Sequence, residues 1–331
     1  MKAAVLRGVH DLGIEDVPGV EEVSPGHLLI EIEAVGICGS DIHYYEKGRI
    51  GSHVVSAPMI LGHEAAGRVV GRGPGVPAGI FNDGAVVALE PGIPCGACAF
   101  CRVGDYNFCP SMRFFATPPY DGALRETVLH PAGFTFAADG LTALEAALAE
   151  PLSVGVYATR LLGLAPGDRV LVVGGGPVGL LAALAGEAAG ADVVVAEIDP
   201  IRVRMGRDAG FSVASADDPA VSTYDCAIDC TGSETGIRLA QMAVRTHGQL
   251  GLIGLGEREN MRLDGLDIVQ RGILVHGVFR YANTYPTALA ILRRFRSRLE
   301  PFLTHLVPLD RLPEVLSKRE YLSTLKTMVV L

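Results

Sequence analysis

The sequence predicts an α/β protein in which a parallel-sheet unit is joined to a β-rich one, and three observations carry that prediction. Residues 1 to about 140 alternate short β-like runs with turn punctuation: HLLIEIEAVGIC, AGRVVGRG and GAVVALEPG are apolar segments bounded by Gly, Pro and Asp. From about Leu141 the composition turns Ala- and Leu-rich, and strands then alternate with helices, the pattern of a parallel sheet. At 331 residues the chain is too long for one ordinary core and about right for two.

Composition narrows the class. Hydrophobic residues make up 49% and charged residues 20%, a globular profile that excludes disordered, collagenous and coiled-coil chains. The balance of 28 Lys+Arg against 37 Asp+Glu gives −9, which leaves no global positive field to hold nucleic acid. The opening residues, MKAAVLRGVHDLGIEDVPGV, lack the apolar core and cleavage site of a secretory signal. A reducing, cytoplasmic setting is therefore expected, with metal or thiol roles for the 7 Cys. The uncharged run from Val170 to Gly186 is shorter than the ~20 residues of a spanning helix and carries five Gly. It reads as a buried strand, a glycine turn and a buried helix, and no membrane partner is expected.

Within the α/β half, RVLVVG, DVVVAE, YDCAIDC, GQLGLIG and GILVHGVF read as five buried strands. Between them lie the helix GPVGLLAALAGEAAG and a helix opening at Asp199-Pro200, with Asp as cap and Pro at the first position, that closes before Gly210. A further helix is expected around Thr235 to Arg245. After Tyr281 amphipathic helices follow, and the chain ends in the strand-like LKTMVVL. The basic cluster RRFRSR, 293 to 298, reads as the solvated face of a helix. Cys226 and Cys230 read as buried strand thiols.

Gly174-Gly175-Gly176-Pro177-Val178-Gly179 satisfies GxGxxG, between a Val-rich strand and an Ala/Leu helix. Gly174 allows the tight turn, Gly176 lets the backbone approach a pyrophosphate, and Gly179 lets helix pack on strand. The free N–H groups of the helix N-terminus would hold the phosphates. The strand DVVVAE ends on Glu197, about 20 residues on, where a carboxylate accepts from both ribose hydroxyls and repels a 2′-phosphate. The cofactor expected is NAD, and Arg202 is placed over the adenosine or in solvent. These features make the α/β half a doubly wound Rossmann unit.

Two metal sites are expected. Cys95, Cys98, Cys101 and Cys109 form CxxCxxC with a fourth Cys eight residues later, enough to close a tetrahedral sulfur shell. Four thiolates leave no open position, which marks a structural zinc, although iron–sulfur clusters use similar spacing. The second set is dispersed: Cys38 in GICGSD and His63-Glu64 in GHEAAG. A thiolate, an imidazole and a carboxylate hold zinc while leaving room for water or substrate, whereas singly Cys38 reads as a packed thiol and His63 as a loop histidine. Beside a dinucleotide fold the catalytic reading gains: an alcohol at the open position has its O–H acidified and releases hydride to C4 of the nicotinamide.

These residues resemble the zinc-dependent medium-chain dehydrogenases. GHEAAGRVVGRGPGV is similar to that family's zinc signature. VGICGSDIHYYEKGRIGSHVV, FFATPPYDGAL, EPLSVGVYATR and VHGVFRYANTYP together look like its polyol branch, which includes sorbitol and xylitol dehydrogenases. The resemblance implies a GroES-like catalytic domain, residues 1–145 and 281–331, around a Rossmann domain, residues 146–280. It implies Cys38, His63 and Glu64 as zinc ligands with water as the fourth group, and Glu150 near that water, leaving either Glu64 or Glu150 as the inner ligand. Ser40 and His43 fall on the proton-relay positions, with a route through the glutamate and water as the alternative. Tyr44, Ile50, Phe115, Arg280 and Tyr281 match substrate-pocket positions, and a homotetramer is usual.

The chain departs from the pattern in three places. Its four-cysteine lobe is complete, where the animal sorbitol dehydrogenases lack it. It is shortened around 212 to 224, and Asn82-Asp83-Gly84-Ala85 replaces the usual Gly-Asp-Arg turn. The expected activity is NAD-linked oxidation of a sugar alcohol's secondary alcohol to the ketose. The rivals are a zinc dehydrogenase for threonine, butanediol or a simple alcohol, and a non-catalytic NAD-binding protein on the same scaffold.

Overall fold

The computed structural model describes every residue except 78, 80, 216–221, 256–261 and 318–322. The chain divides into two compact units, Met1–Glu150 with Leu292–Leu331, and Pro151–Ile291. Both junctions fall inside helices, Ala149–Leu161 and Tyr285–Arg294. The domain boundaries that the resemblance implies are 145/146 and 280/281.

The first unit is built on a seven-stranded sheet. Its strands run in the order Thr135–Ala137, Val86–Leu89, Glu64–Arg72, His27–Gly36, Thr327–Val330 and His305–Pro308, with Thr127–Pro131 also paired to His27–Gly36. In His27–Gly36, Leu28, Ile30, Ile32 and Ala34 are buried at every second position, the period of a sheet with one face in the core. Leu61, Leu89 and Leu124 pack with them, each such side chain contributing about 1.5–3 kcal/mol of burial. The strand His27–Gly36 is the hub: Gly36 is opposite Glu64 on one side and Met328 on the other. That register brings the end of the chain to the start of the Glu64 strand.

The second unit is a six-stranded, wholly parallel sheet. Its order is Val213–Ser215, Asp192–Glu197, Arg169–Val173, Tyr224–Asp229, Val244–Leu252 and Leu274–Gly277. This is the 3-2-1-4-5-6 order of a Rossmann sheet, whose ligands sit beyond the strand C-termini where the order reverses. Arg169–Val173 is buried from Val170 onward, as a central parallel strand must be.

Four local readings change. Val213–Ser215 is a sixth strand, too short to register as a periodic run, and the rest of the shortened region, 216–221, lies outside the described residues. The helix expected to reach Arg245 is Glu234–Ala243, and the next strand begins at once at Val244. Leu274–Gly277 is not buried: it is the sheet's edge, with Leu274 55% exposed. An apolar run cannot distinguish an edge strand from a central one. Finally, the basic cluster is not simply solvated, because Arg293 donates to the carbonyls of Asp139 and Ala137, and Arg296 Nε reaches Glu145 Oε1 at 2.6 Å. Among the described residues no helix is long and apolar enough to cross a membrane.

Candidate metal and dinucleotide sites

Cys38 is the residue before the helix Gly39–Lys47, and Asp41, three residues on, closes that helix start by accepting from Cys38 N at 2.9 Å. The other oxygen of Asp41 accepts from Gly62 N at 3.0 Å. One buried carboxylate thus ties the Cys38 turn to the residue before His63, with His63 Nδ1 4.0 Å away. Glu64 opens the next strand. The ligand atoms of Cys38, His63 and Glu64 all lie within 4.8 Å of one another.

Glu64 is held by a cation from the far end of the chain. Lys326 Nζ donates to Glu64 Oε1 at 2.6 Å and to the carbonyl of Ile37 at 2.8 Å, and stands 2.5 Å from Glu64 Oε2. Both side chains are 1% exposed. Gly36 leaves the space, since a Cβ there would lie 2.0 Å from Glu64 Oε2. Glu90 and Glu150 are buried as well. Burial pushes Glu90 up to about 7, against the lowering effect of the Tyr106 hydroxyl and with Glu150 adding to the rise. Burial also raises Asp41. Burial alone would lower His63, but Cys38 beside it, with Asp41 and Glu150, outweighs this and lifts the ring to about 10.

This pocket fits a divalent cation. It gathers a thiol, an imidazole and a carboxylate within 4.8 Å of one another, with the buried acids Asp41, Glu90 and Glu150 in the same unit and the Glu64 carboxylate paired to Lys326. Buried acids in such excess need a positive charge. A borderline-soft S/N/O donor set matches zinc.

The four-cysteine set also converges, with its sulfurs within 4.8 Å of one another. Cys98 to Cys101 is 3.3 Å and Cys95 to Cys101 is 3.9 Å. Backbone N–H groups point at the sulfurs: Ala97 and Cys98 donate to Cys95, Cys101 to Cys98, and Cys95 to Cys109. The two donors lower Cys95 to about 6, whereas burial and the neighbouring thiols raise Cys101 to about 12. The Cys95 thiolate is favoured and that of Cys101 resisted, so closing the sulfur shell with four thiolates calls for a cation at its centre.

Of the remaining positions in the first unit, Ser40, His43 and Tyr44 lie on the helix Gly39–Lys47, Tyr44 being buried. Ile50 is half-buried in the strand Arg49–Ile50. Phe115 is buried with its ring 5.2 Å from that of His130. Glu150 is in the first turn of Ala149–Leu161.

In the second unit, Gly174 has φ +104° and Gly176 precedes a helix that begins with Pro177 and Val178. A Cβ on Gly179 would lie 1.8 Å from the carbonyl oxygen of Gly174, so only glycine lets helix and turn close. Glu197 closes the turn from the other strand: Oε2 accepts from Gly175 N at 2.7 Å, and Oε1 from Ile198 N and Asp199 N at 2.7 and 2.9 Å. Arg202 leans on the same turn, with Nη1 3.1 Å from a Cβ on Gly176 and Nη2 buried without a hydrogen-bond partner. A cavity of about 170 Å³ at the strand ends is lined by Gly174, Glu197, Thr231, Ser233 and Thr235. Asp229 shapes its far wall by accepting from the backbone of Thr231 and Gly232. The cradle fits a dinucleotide. Arg280 has φ +52° and its guanidinium lies over the Phe279 ring, while Tyr281 is buried with its ring 6.0 Å from Tyr285.

Sequence reasoning missed Asp41, Glu90 and Lys326. Asp41 had a local signal, an acid three residues after the residue capping a helix. Lys326 had none, being 262 residues from Glu64.

Comparisons with known proteins place the chain in a family. Residues 24–139 match the model of the alcohol dehydrogenase GroES-like domain, and residues 177–294 that of the zinc-binding dehydrogenase. The chain is 39% identical to a sorbitol dehydrogenase of Bacillus subtilis (strain 168), covering 88% of this chain and 86% of that one. It is 38% identical to the sorbitol dehydrogenase of Rattus norvegicus over 98% of this chain and 94% of that one. Among solved structures it is similar to L-idonate 5-dehydrogenase from Escherichia coli, at 26% identity and a TM-score of 0.90 over 100% of this chain and 98% of the other.

Proposed function

We propose that this chain, which belongs to the zinc-dependent medium-chain dehydrogenases and to their polyol branch, oxidises a secondary alcohol of a xylitol- or sorbitol-type sugar alcohol to the ketose. The observation that carries the substrate class is kinship with sorbitol dehydrogenases along nearly the whole chain. When bound, zinc supplies the Lewis acidity that acidifies the alcohol, and NAD supplies the hydride acceptor.

In this reading Cys38, His63 and Glu64 hold the metal, while Asp41 and Lys326 set the positions of those side chains. Glu150 and the Ser40 hydroxyl take the alcohol proton, and His43 passes it on. Tyr44, Ile50 and Phe115 contact the substrate; Arg280 and Tyr281 join them on the strength of the resemblance alone. Cys95, Cys98, Cys101 and Cys109 hold a structural zinc. Gly174, Gly176, Pro177, Val178 and Gly179 receive the pyrophosphate on the helix N-terminus, with Arg202 beside it. Glu197 offers its remaining acceptor capacity to the ribose and disfavours a 2′-phosphate, so NAD is preferred over NADP. A cytoplasmic homotetramer completes the reading.

Initial rates with xylitol, sorbitol, L-threonine and 2,3-butanediol at saturating NAD test it. A polyol should give the highest kcat/KM. Equal or better rates with threonine or butanediol would overturn the substrate class, and unchanged turnover in Cys38→Ser would overturn the metal's role.

A further inference from the structure

Tyr106 lies in the four-cysteine lobe, in the single turn Tyr106–Phe108 between Cys101 and Cys109. It is not one of the sulfur ligands, yet its hydroxyl donates to Glu90 Oε1 at 2.7 Å. Its ring stands edge-on to Phe134, 5.9 Å away, and the carbonyl of Phe134 accepts from Glu90 N at 2.9 Å. Glu90 is therefore held at its side chain by the lobe and at its backbone by Phe134, the residue on which the Tyr106 ring packs. On its other side Glu90 follows Leu89, which pairs across the sheet with Ala65, the neighbour of Glu64. Glu90 is 1% exposed.

We propose that Tyr106 is a positioning residue through which order in the four-cysteine lobe reaches the catalytic pocket, by holding the carboxyl of Glu90, the residue that follows the strand pair Leu89–Ala65 next to Glu64. The cysteine lobe then does more than stabilise the fold. A cation at its centre fixes the turn that carries Tyr106, and Tyr106 fixes one of the acids that set the field around the catalytic metal. Phe in place of Tyr106 keeps the ring packed on Phe134 and removes only the hydroxyl, so it isolates the bond. The inference rests on the polyol dehydrogenase reading for its kinetic arm alone.

The test uses the zinc-loaded full chain with Tyr106→Phe, Glu90→Gln and both together. Zinc per chain, the chelator concentration that releases half of the more labile zinc, and kcat and KM for the best polyol are measured for each. Tyr106→Phe should retain both zinc ions, lower the releasing chelator concentration roughly three-fold or more, and lower kcat roughly five-fold with KM within about two-fold, as loss of a hydrogen bond to a buried acid predicts. The double variant should match Glu90→Gln in both readouts, because Tyr106 acts only through Glu90. Unchanged zinc release and kcat in Tyr106→Phe, or losses that multiply in the double variant, would overturn the inference. If the unmodified protein oxidises no polyol, the functional reading fails, and zinc release still decides this one.

Discussion

Replacing Lys326 with Met removes one charge from a buried pair while keeping the length of its apolar stem. Lys326 Nζ lies 2.6 and 2.5 Å from the two oxygens of Glu64, and each side chain is 1% exposed. Breaking one partner of such a pair leaves an uncompensated buried charge, at a cost of about 3–5 kcal/mol. The carbonyl of Ile37 also loses its donor at 2.8 Å, roughly 1 kcal/mol more. The expected loss is about 4–6 kcal/mol, a large part of the roughly 5–15 kcal/mol that holds a typical domain folded. Replacing Glu64 with Gln as well removes the stranded charge, so Lys326→Met/Glu64→Gln should recover about half of that loss. The chain contains no Trp, so urea unfolding is followed by circular dichroism, and the midpoints are compared at a common slope. Zinc loading should narrow the gap between Lys326→Met and the unmodified protein, because the metal restores a positive charge beside Glu64. A Lys326→Met protein within 1 kcal/mol of the unmodified one, or a double variant as unstable as the single, would refute the reasoning.

Gly179→Ala should weaken NADH binding at least roughly ten-fold in a fluorescence titration, since its Cβ would lie 1.8 Å from the Gly174 carbonyl oxygen; an unchanged Kd would mean the helix can shift at little cost. Glu197→Ala strips the acceptor from Gly175, Ile198 and Asp199 N–H and should both weaken NADH binding and narrow the preference over NADPH, measured in the same titration. Glu90, raised from 4.5 to about 7, binds its proton more tightly when folded, so it favours folding below about pH 4.5 and this advantage fades as pH rises through about 7. For metal-free protein that amounts to about 3 kcal/mol lost between those limits, and Glu90→Gln should flatten the fall in midpoint across pH 5–7. Cys101→Ser should cost one zinc per chain by elemental analysis while the other remains; loss of neither would show that the sulfur set holds no metal.

Much of the molecule is legible locally because the chemistry lies between residues close along the chain. Gly174 to Gly179 must make their turn with their immediate neighbours, and the positive φ of Gly174 and the contact forbidden at Gly179 are consequences of that spacing. Asp199 caps the helix Pro200–Asp208 by accepting from Ile201 N, two residues away. The four cysteines converge because fifteen residues suffice to bend round a single point. Where the pattern is ambiguous in one dimension, reading fails: an apolar run was as good a central strand as the exposed edge Leu274–Gly277, and three residues were too few to announce Val213–Ser215.

The sequence by itself determined the two kinds of unit, the dinucleotide turn with Glu197 opposite it, and the donors that a metal would need. Only the tertiary structure decided what surrounds those donors. Asp41 binds Cys38 and Gly62 together, the pairing of Leu89 with Ala65 puts Glu90 at the end of the strand next to the one Glu64 opens, and Thr327–Val330, paired to His27–Gly36, carries Lys326 back to Glu64. Strand pairing is a long-range choice made by burial and register, and no local pattern encodes which distant charge arrives opposite which buried acid.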